Sequence, residues 1–349
     1  MLTARMSGRH SLALNENPYG PLPSVRHSLE QALASANRYP EYLPHRLARA
    51  IAARIGCSPE QIVVGAGATG VIMHILQAFV APGRARVVMA EPIFDGYPVL
   101  TATVRGHSVM VALAADGSQD LDAMRAAVDA RTGVVVLCDP HNPTGTRLRA
   151  GELTGFLDRI DTRVAVILDE AYIEFVAPDQ RIDTETLLAA YPNVIVVRTF
   201  SKAFGLAGLR VGYAVADPQA AARIARWQVP FGMNILAEVG VRACYAAEDE
   251  LNERIDAITS ERDRVSVALR RLGYVLPDSS ANHLFVPLHD PALAHRVSQA
   301  FCRAGIHVRK YSTGVRITVG DRAANQAVLT SLAEVRAAAH RLSGSVSTR

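Results

Sequence analysis

Lys202 and Lys310 are the two lysines among 37 basic residues; all the others are arginine. A GC-rich coding bias explains the average, because arginine replaces surface lysine at little cost, and it makes the exceptions worth reading. Arginine keeps its proton and cannot act as an amine nucleophile, whereas a desolvated lysine can lose its charge and form a Schiff base with a carbonyl. Lys202 follows the apolar run Val194-Ile195-Val196-Val197 and sits in Thr199-Phe200-Ser201-Lys202-Ala203-Phe204-Gly205-Leu206-Ala207-Gly208-Leu209-Arg210. A lone lysine at a strand end, followed by a small-residue loop and an arginine, is a candidate covalent anchor.

Four further landmarks precede it. Gly65-Ala66-Gly67-Ala68-Thr69-Gly70 lies between an apolar run and a helical pattern. Backbone amides there and the Thr69 hydroxyl could cradle a phosphate, although a plain strand-to-helix turn would need the same glycines. The spacing matches neither a Walker loop nor a dinucleotide fingerprint. Phe94, in Glu91-Pro92-Ile93-Phe94-Asp95-Gly96-Tyr97, could stack on a flat ring, and taken alone reads as a packing aromatic. Asn142 lies in the turn Asp139-Pro140-His141-Asn142-Pro143-Thr144-Gly145, at a strand's carboxyl end, where ligands of open α/β sheets bind. Asp169-Glu170-Ala171-Tyr172 closes another apolar run, and a carboxylate there is costly unless paired; it reads as a salt bridge or a cap, or as the partner of a protonated ring nitrogen. Each signal is weak alone. In this order they describe the protein's share of pyridoxal phosphate chemistry: a lysine anchor and an acid that pairs with a pyridinium.

The elements that must position these residues are legible as apolar runs. Strands are expected at Gln61–Val64, Arg86–Ala90, Ser108–Leu113, Val134–Cys138, Val164–Leu168, Val194–Arg198 and Val211–Val215. Several are continuous Val/Ile/Leu runs, as expected when helices cover both faces of a sheet. Helical patterns at Thr69–Val80, Leu121–Ala130 and Gly151–Ile160 alternate with them, which predicts an α/β fold with a mostly parallel, doubly wound sheet. This large, cofactor-binding domain is placed at residues 45–245. Residues 1–44 are expected as a loop-like arm through Gly20 and a serine-capped helix, Ser24–Ala36. Residues 246–349 form a smaller α+β unit: a long helix Asp249–Leu272, short strands Leu284–Val286 and Val315–Val319, helices Pro291–Ala304 and Arg322–Arg341, and a frayed tail from Ser343.

Bulk composition removes several classes. The net charge of +4 is small for 349 residues and is scattered over helices, which argues against a nucleic-acid stripe. No apolar run approaches the roughly 18 residues of a membrane helix, and Met1–His10 has no secretion-signal core. Cys57, Cys138, Cys244 and Cys302 are too far apart for a metal or redox pair, so no metal and a cytoplasmic location are expected.

The strand-end motifs closely resemble those of fold-type-I aminotransferases, in the branch of histidinol-phosphate and aromatic aminotransferases. Leu14-Asn15-Glu16-Asn17-Pro18, Asn37-Arg38-Tyr39-Pro40 and Val315-Arg316-Ile317-Thr318-Val319-Gly320 belong to the same pattern, so the resemblance spans nearly the whole chain. It implies an aspartate-aminotransferase-like fold, pyridoxal 5'-phosphate as cofactor, and a homodimer with shared active sites. It also implies roles. Lys202 anchors the cofactor, then shuttles a proton between the substrate's Cα and the cofactor's C4′. Asp169 keeps the ring nitrogen protonated, and Tyr172 and Asn142 bond the phenolic oxygen. Phe94 stacks, while Gly67, Ala68, Thr69, Thr199, Ser201 and Arg210 hold the phosphate, joined by Tyr39 from the other subunit. Arg316 and Arg309 grip the substrate's anionic end, and Tyr19 and Asn282 complete the substrate set.

The substrate is less legible. A shorter arm before Asn15, Thr69 where the family commonly has an acidic or polar residue, and His141 in place of asparagine depart from the family pattern and weaken a histidine-pathway reading. Gly20-Pro21-Leu22-Pro23-Ser24-Val25-Arg26 and Val229-Pro230-Phe231 resemble the aromatic side of the branch. The expectation is transamination of an aromatic amino acid or histidinol phosphate with 2-oxoglutarate or glutamate. An unusual, cationic amino acid of specialised metabolism is the alternative, as is a decarboxylase of the threonine-phosphate type. No DNA-binding module is expected before Asn15 or after Arg341, which disfavours a regulator.

Overall fold

The computed structural model describes residues 10–344; the parts of the expected arm and tail at 1–9 and 345–349 lie outside them. In chain order the strands are β1 (His10–Leu12), β2 (Ile62–Ala66), β3 (Arg86–Glu91), β4 (His107–Ala112), β5 (Thr132–Cys138), β6 (Ala165–Asp169), β7 (Val194–Thr199), β8 (Val211–Ala216), β9 (His283–Pro287), β10 (Ile306–Tyr311) and β11 (Gly314–Thr318).

Seven of them form one sheet in the order β2-β8-β7-β6-β5-β3-β4. Every contact from β7 to β4 is parallel. β8 runs antiparallel to both β7 and β2, so β2 and β7 point the same way. The carboxyl ends of β2, β3, β5, β6 and β7 therefore share one edge, and that edge carries Gly67, Phe94, Asn142, Asp169 and Lys202. β5 and β6 are buried along their whole length. Their alternate side chains feed two apolar layers: Val135, Leu137, Val166 and Leu168 face one, and Val134, Val136, Ala165 and Ile167 face the other. Burial on both faces is why these strands read as unbroken apolar runs.

The smaller sheet corrects the sequence reading. It has four strands, β1-β10-β11-β9, where two were expected. β10 was missed because Ile306 and Val308 are buried while Arg309 and Lys310 are exposed; that alternation is a half-covered strand, not an apolar run. The arm is not wholly loop-like, since His10–Leu12 pairs in parallel with β10 and Leu12 enters the small unit's core. The expected serine cap is also absent. The helix starts at Pro23, with Leu22 at the cap position, and Ser24 instead donates its hydroxyl to Glu250. Helices end earlier than expected at Ala126 and Leu157. The long connector runs Glu248–Arg271. No helix among the described residues is long and apolar enough to cross a membrane.

Candidate active site

A pocket opens where the strand-end edge meets the small sheet. Of the residues expected at the site, it is lined by Ala68, Thr69, Phe94, Asn142, Asp169, Tyr172, Thr199, Ser201, Lys202, Arg210, Arg309 and Arg316.

One wall is an anion cradle. β2 leads without a loop into the helix Gly67–Phe79, whose cap residue Ala66 makes no side-chain cap bond, so the first-turn amides of this helix face the pocket uncapped. Gly67 has φ 73°, and a Cβ there would collide with the Arg210 guanidinium. Gly212 on β8 is needed for a different reason: a Cβ would strike the backbone of Ala68 and Gly67. The two glycines let a helix N-terminus and a guanidinium converge. Ser201 accepts a hydrogen bond from Thr199 Oγ1 at 3.0 Å and adds a hydroxyl to the same wall. Amides, hydroxyls and one guanidinium are the donor set of a phosphate site.

The buried carboxylates differ in one respect. Asp139 is held by Arg147 at 2.7 Å and Glu170 by Arg198 at 2.8 Å. Asp169 makes no ion pair among the described residues; its oxygens take only neutral donors, Tyr97 Oη at 2.8 Å and the Ala171 amide at 3.1 Å. Burial raises its pKa above the ordinary carboxylate value, opposed by the two hydrogen bonds and by the Lys202 charge. A buried carboxylate without a cation fits a ligand that brings one, such as a protonated pyridine nitrogen.

Lys202 Nζ donates to the Leu14 carbonyl at 2.9 Å. Burial, with the nearby Arg316 and Arg210 charges, lowers its pKa from 10.5 to about 8, while Glu16 and Asp169 act in the opposite sense. About a tenth of the amine is thus neutral and nucleophilic at pH 7, some hundreds of times more than for an unperturbed lysine. The donor set fits pyridoxal phosphate at each end: a phosphate cradle, a lysine amine for its aldehyde, and an unpaired acid for its ring nitrogen.

The substrate side is built by a cross-strand pair. Arg309 and Arg316 are Cα partners on β10 and β11, and both reach the pocket. Like charges directly opposite destabilise a sheet, so their pairing points to an anionic ligand. The two are not equivalent. Arg309 is tied to Asp95 at 2.5 Å, whereas buried Arg316 meets only neutral acceptors: Asn142 Oδ1 at 2.5 Å, the Ala13 carbonyl, and Tyr311 Oη at 3.4 Å.

Four expected residues lie off the pocket wall: Gly67, which serves by lacking a Cβ against Arg210, and three side chains. Tyr39 is 84% exposed and packs on Phe231 at 5.0 Å between ring centroids. Tyr19 lies under the Arg254 guanidinium, 4.9 Å from its ring centroid. Asn282 is fully buried and donates to the Asn15 carbonyl at 3.1 Å. Conversely, Tyr97, Asp95, Glu16 and the Ala13 and Leu14 carbonyls were not assigned from sequence. Tyr97 stands three residues after Phe94, the only hint available. His141 is fully buried, bonded to Thr144, and pushed down to about 3 by burial, which makes it a neutral structural residue.

The aminotransferase class I and II family model matches residues 10–332. An aromatic amino acid aminotransferase of Rhodococcus jostii is 43% identical over 325 residues, covering 92% of this chain and 89% of its own. One from Streptomyces coelicolor is 41% identical over 328 residues, covering 94% and 90%. Among solved structures, the histidinol-phosphate aminotransferase of Sinorhizobium meliloti, in complex with pyridoxal 5'-phosphate, superimposes with a TM-score of 0.88 at 29% identity, covering 95% of this chain and 92% of that one.

Proposed function

The chain belongs to the class I and II aminotransferase family, a pyridoxal-phosphate-dependent enzyme by that membership, and on this premise we propose that it transfers the amino group of an aromatic amino acid to 2-oxoglutarate. The observation that carries the substrate is the run of aromatic amino acid aminotransferases that are about two-fifths identical over nine-tenths of the chain. The pocket supports it: Ala13, Leu14, Ile72, Cys138 and Pro140 supply apolar wall, and Asp95 already neutralises Arg309. One guanidinium, Arg316, then remains for one carboxylate.

The roles follow from the geometry. When bound, pyridoxal phosphate supplies an aldehyde for the amino group and a ring that withdraws electrons from the α-carbon. The uncapped helix amides, Thr199, Ser201 and Arg210 hold its phosphate, and Phe94 covers one face of the ring. Asp169, aimed by Tyr97 and Ala171, keeps a proton on the ring nitrogen. Tyr172 and Asn142 donate to the phenolic oxygen. Arg316 orients the substrate carboxylate. Lys202, as a free amine, takes the proton from the substrate's α-carbon and carries it onward. Asn282 donates to the Asn15 carbonyl and so supports the arm, and Tyr19 packs under the Arg254 guanidinium.

A homodimer in the cytoplasm, working in amino-acid biosynthesis, completes the reading. The homodimer is supported by the exposed aromatic cluster Tyr39, Tyr42 and Phe231, an apolar surface suited to a second copy. Histidinol phosphate is the second reading, favoured by the paired arginines of β10 and β11. Mixing the cofactor-loaded protein with phenylalanine, tyrosine, histidinol phosphate, arginine or glutamate in separate single turnovers decides between them. Bleaching of the visible band should be fastest with phenylalanine or tyrosine; faster bleaching by histidinol phosphate or arginine would overturn the aromatic assignment. Carbon dioxide release without an oxo-acid product would indicate a decarboxylase.

A further inference from the structure

The direction of the Tyr172 hydroxyl proton is set by two amides. A tyrosine oxygen has one proton to give and two lone pairs to fill. Asn142 fills one, its Nδ2 donating to Tyr172 Oη at 3.1 Å. That orientation is fixed from behind, because Asn142 Oδ1 accepts from Arg316, whose guanidinium can only donate. Asn15 fills the other, with Nδ2 donating at 2.9 Å.

Asn15 is buried, holds φ 53°, and has every polar group engaged. Its backbone amide donates to Thr318 Oγ1 at 2.9 Å, and that hydroxyl donates back to Asn15 Oδ1 at 3.0 Å. Nδ2 also faces His283 Nδ1 at 3.0 Å, and the Asn15 carbonyl accepts from Asn282. The Thr318 hydroxyl orients the amide. In the reverse orientation it would receive two donors and lose the acceptor for its own proton, while Oδ1 would draw the Tyr172 proton away from the pocket. The His283 ring, held neutral by burial and by the Arg316 and Lys202 charges, serves as acceptor and lies 5.0 Å from the Tyr172 ring.

We propose that Asn15 is a positioning residue that, with Asn142, occupies both acceptor sites of Tyr172 Oη and so aims its O–H into the pocket. The inference rests on the reading of Tyr172 as a donor to the cofactor's phenolic oxygen. It gives a chemical reason for the left-handed Asn15 backbone and for an arm that reaches across Lys202. Without Asn15 the hydroxyl rotates and donates less to that oxygen. The oxygen then holds the proton on the neighbouring Lys202 nitrogen more tightly. The charges acting on that nitrogen are those of Arg316, Arg210, Glu16 and Asp169, and no Asn15 substitution removes one. Tyr172 itself is also faced by Arg316, Asp169 and Tyr311.

The test uses protein reconstituted with pyridoxal phosphate, and it reads the pH midpoint of the visible band, which reports protonation of the Lys202 nitrogen. Asn15→Ala should raise that midpoint by about half a unit to one unit. Asn15→Asp should raise it further, since a carboxylate accepts the Tyr172 hydrogen bond and adds a negative charge near the Lys202 nitrogen. In a Tyr172→Phe background Asn15→Ala should add nothing, because its effect passes through that hydroxyl. Thr318→Val, which releases the Asn15 amide, should shift the midpoint in the same direction and serves if Asn15→Ala fails to fold. An unchanged midpoint in Asn15→Ala and Thr318→Val, with a shift in Tyr172→Phe, overturns this inference alone. Additive shifts in the double variant overturn it too, and no shift in Tyr172→Phe removes the reading of Tyr172 on which it rests.

Discussion

Replacing Lys202 by methionine should stabilise the cofactor-free protein, by an amount that depends on pH in one direction only. The lysine pKa falls from 10.5 to about 8 in the folded chain, chiefly through burial and then through Arg316 and Arg210. At about 1.4 kcal/mol per unit, the shift corresponds to roughly 3 kcal/mol. Between the folded and unfolded pKa values the unfolded chain binds more protons, so wild-type stability rises with pH across that window. Below pH 8 the cost of burying the ammonium is fully present; above about 10.5 it is gone. The methionine variant carries no such cost. Its advantage over wild type should therefore be flat below pH 8 and shrink by about 3 kcal/mol by pH 10.5. Urea unfolding of both apoproteins at a series of pH values measures it, and the titrations of groups that do not feel the Lys202 charge cancel in the difference. A difference that stays constant with pH would refute the reasoning, because Lys202 would then titrate like a solvated lysine.

Three other outcomes are expected. Asp169→Asn should keep the cofactor bound yet lose most of its half-transamination rate in stopped-flow absorbance, since the amide cannot hold the ring nitrogen's proton; near-normal turnover would remove that role. Arg316→Ala should lower kcat/KM for phenylalanine by about 100-fold or more in steady-state assays, as expected for losing charge-assisted bonds of about 1.5–3 kcal/mol each. Asp95→Ala should free Arg309 and raise the kcat/KM ratio of histidinol phosphate over phenylalanine by roughly tenfold, a modest factor because the Arg309–Asp95 pair is half exposed.

The parts of the site that strands carry were legible, and the parts that loops and partners carry were not. Asp169, Asn142 and Lys202 end strands buried on both faces, so each follows an apolar run that marks its position. The first turn of the Gly67–Phe79 helix was marked by glycines whose missing Cβ atoms make room for Arg210 and for the helix itself. Asp95 and Tyr97 left no such signal, because their roles arise from contacts with residues on other elements, Arg309 and Asp169. The pairing of Arg309 with Arg316 depends on β10, whose alternating exposure hides it among helical patterns. Asn282 illustrates the reverse. The resemblance implied a substrate contact for it, yet its Nδ2 bonds the Asn15 carbonyl and its side chain is absent from the pocket wall.

Because Lys202 and Lys310 are the two lysines of the chain, the central claim has an unusually direct test. The purified protein is loaded with pyridoxal phosphate, reduced with borohydride, digested and analysed by mass spectrometry. The account predicts the mass of the reduced cofactor on the peptide containing Lys202 and none on Lys310, whose ammonium is exposed and bonded to Ser298. An adduct on Lys310 alone, or on neither lysine, would contradict it.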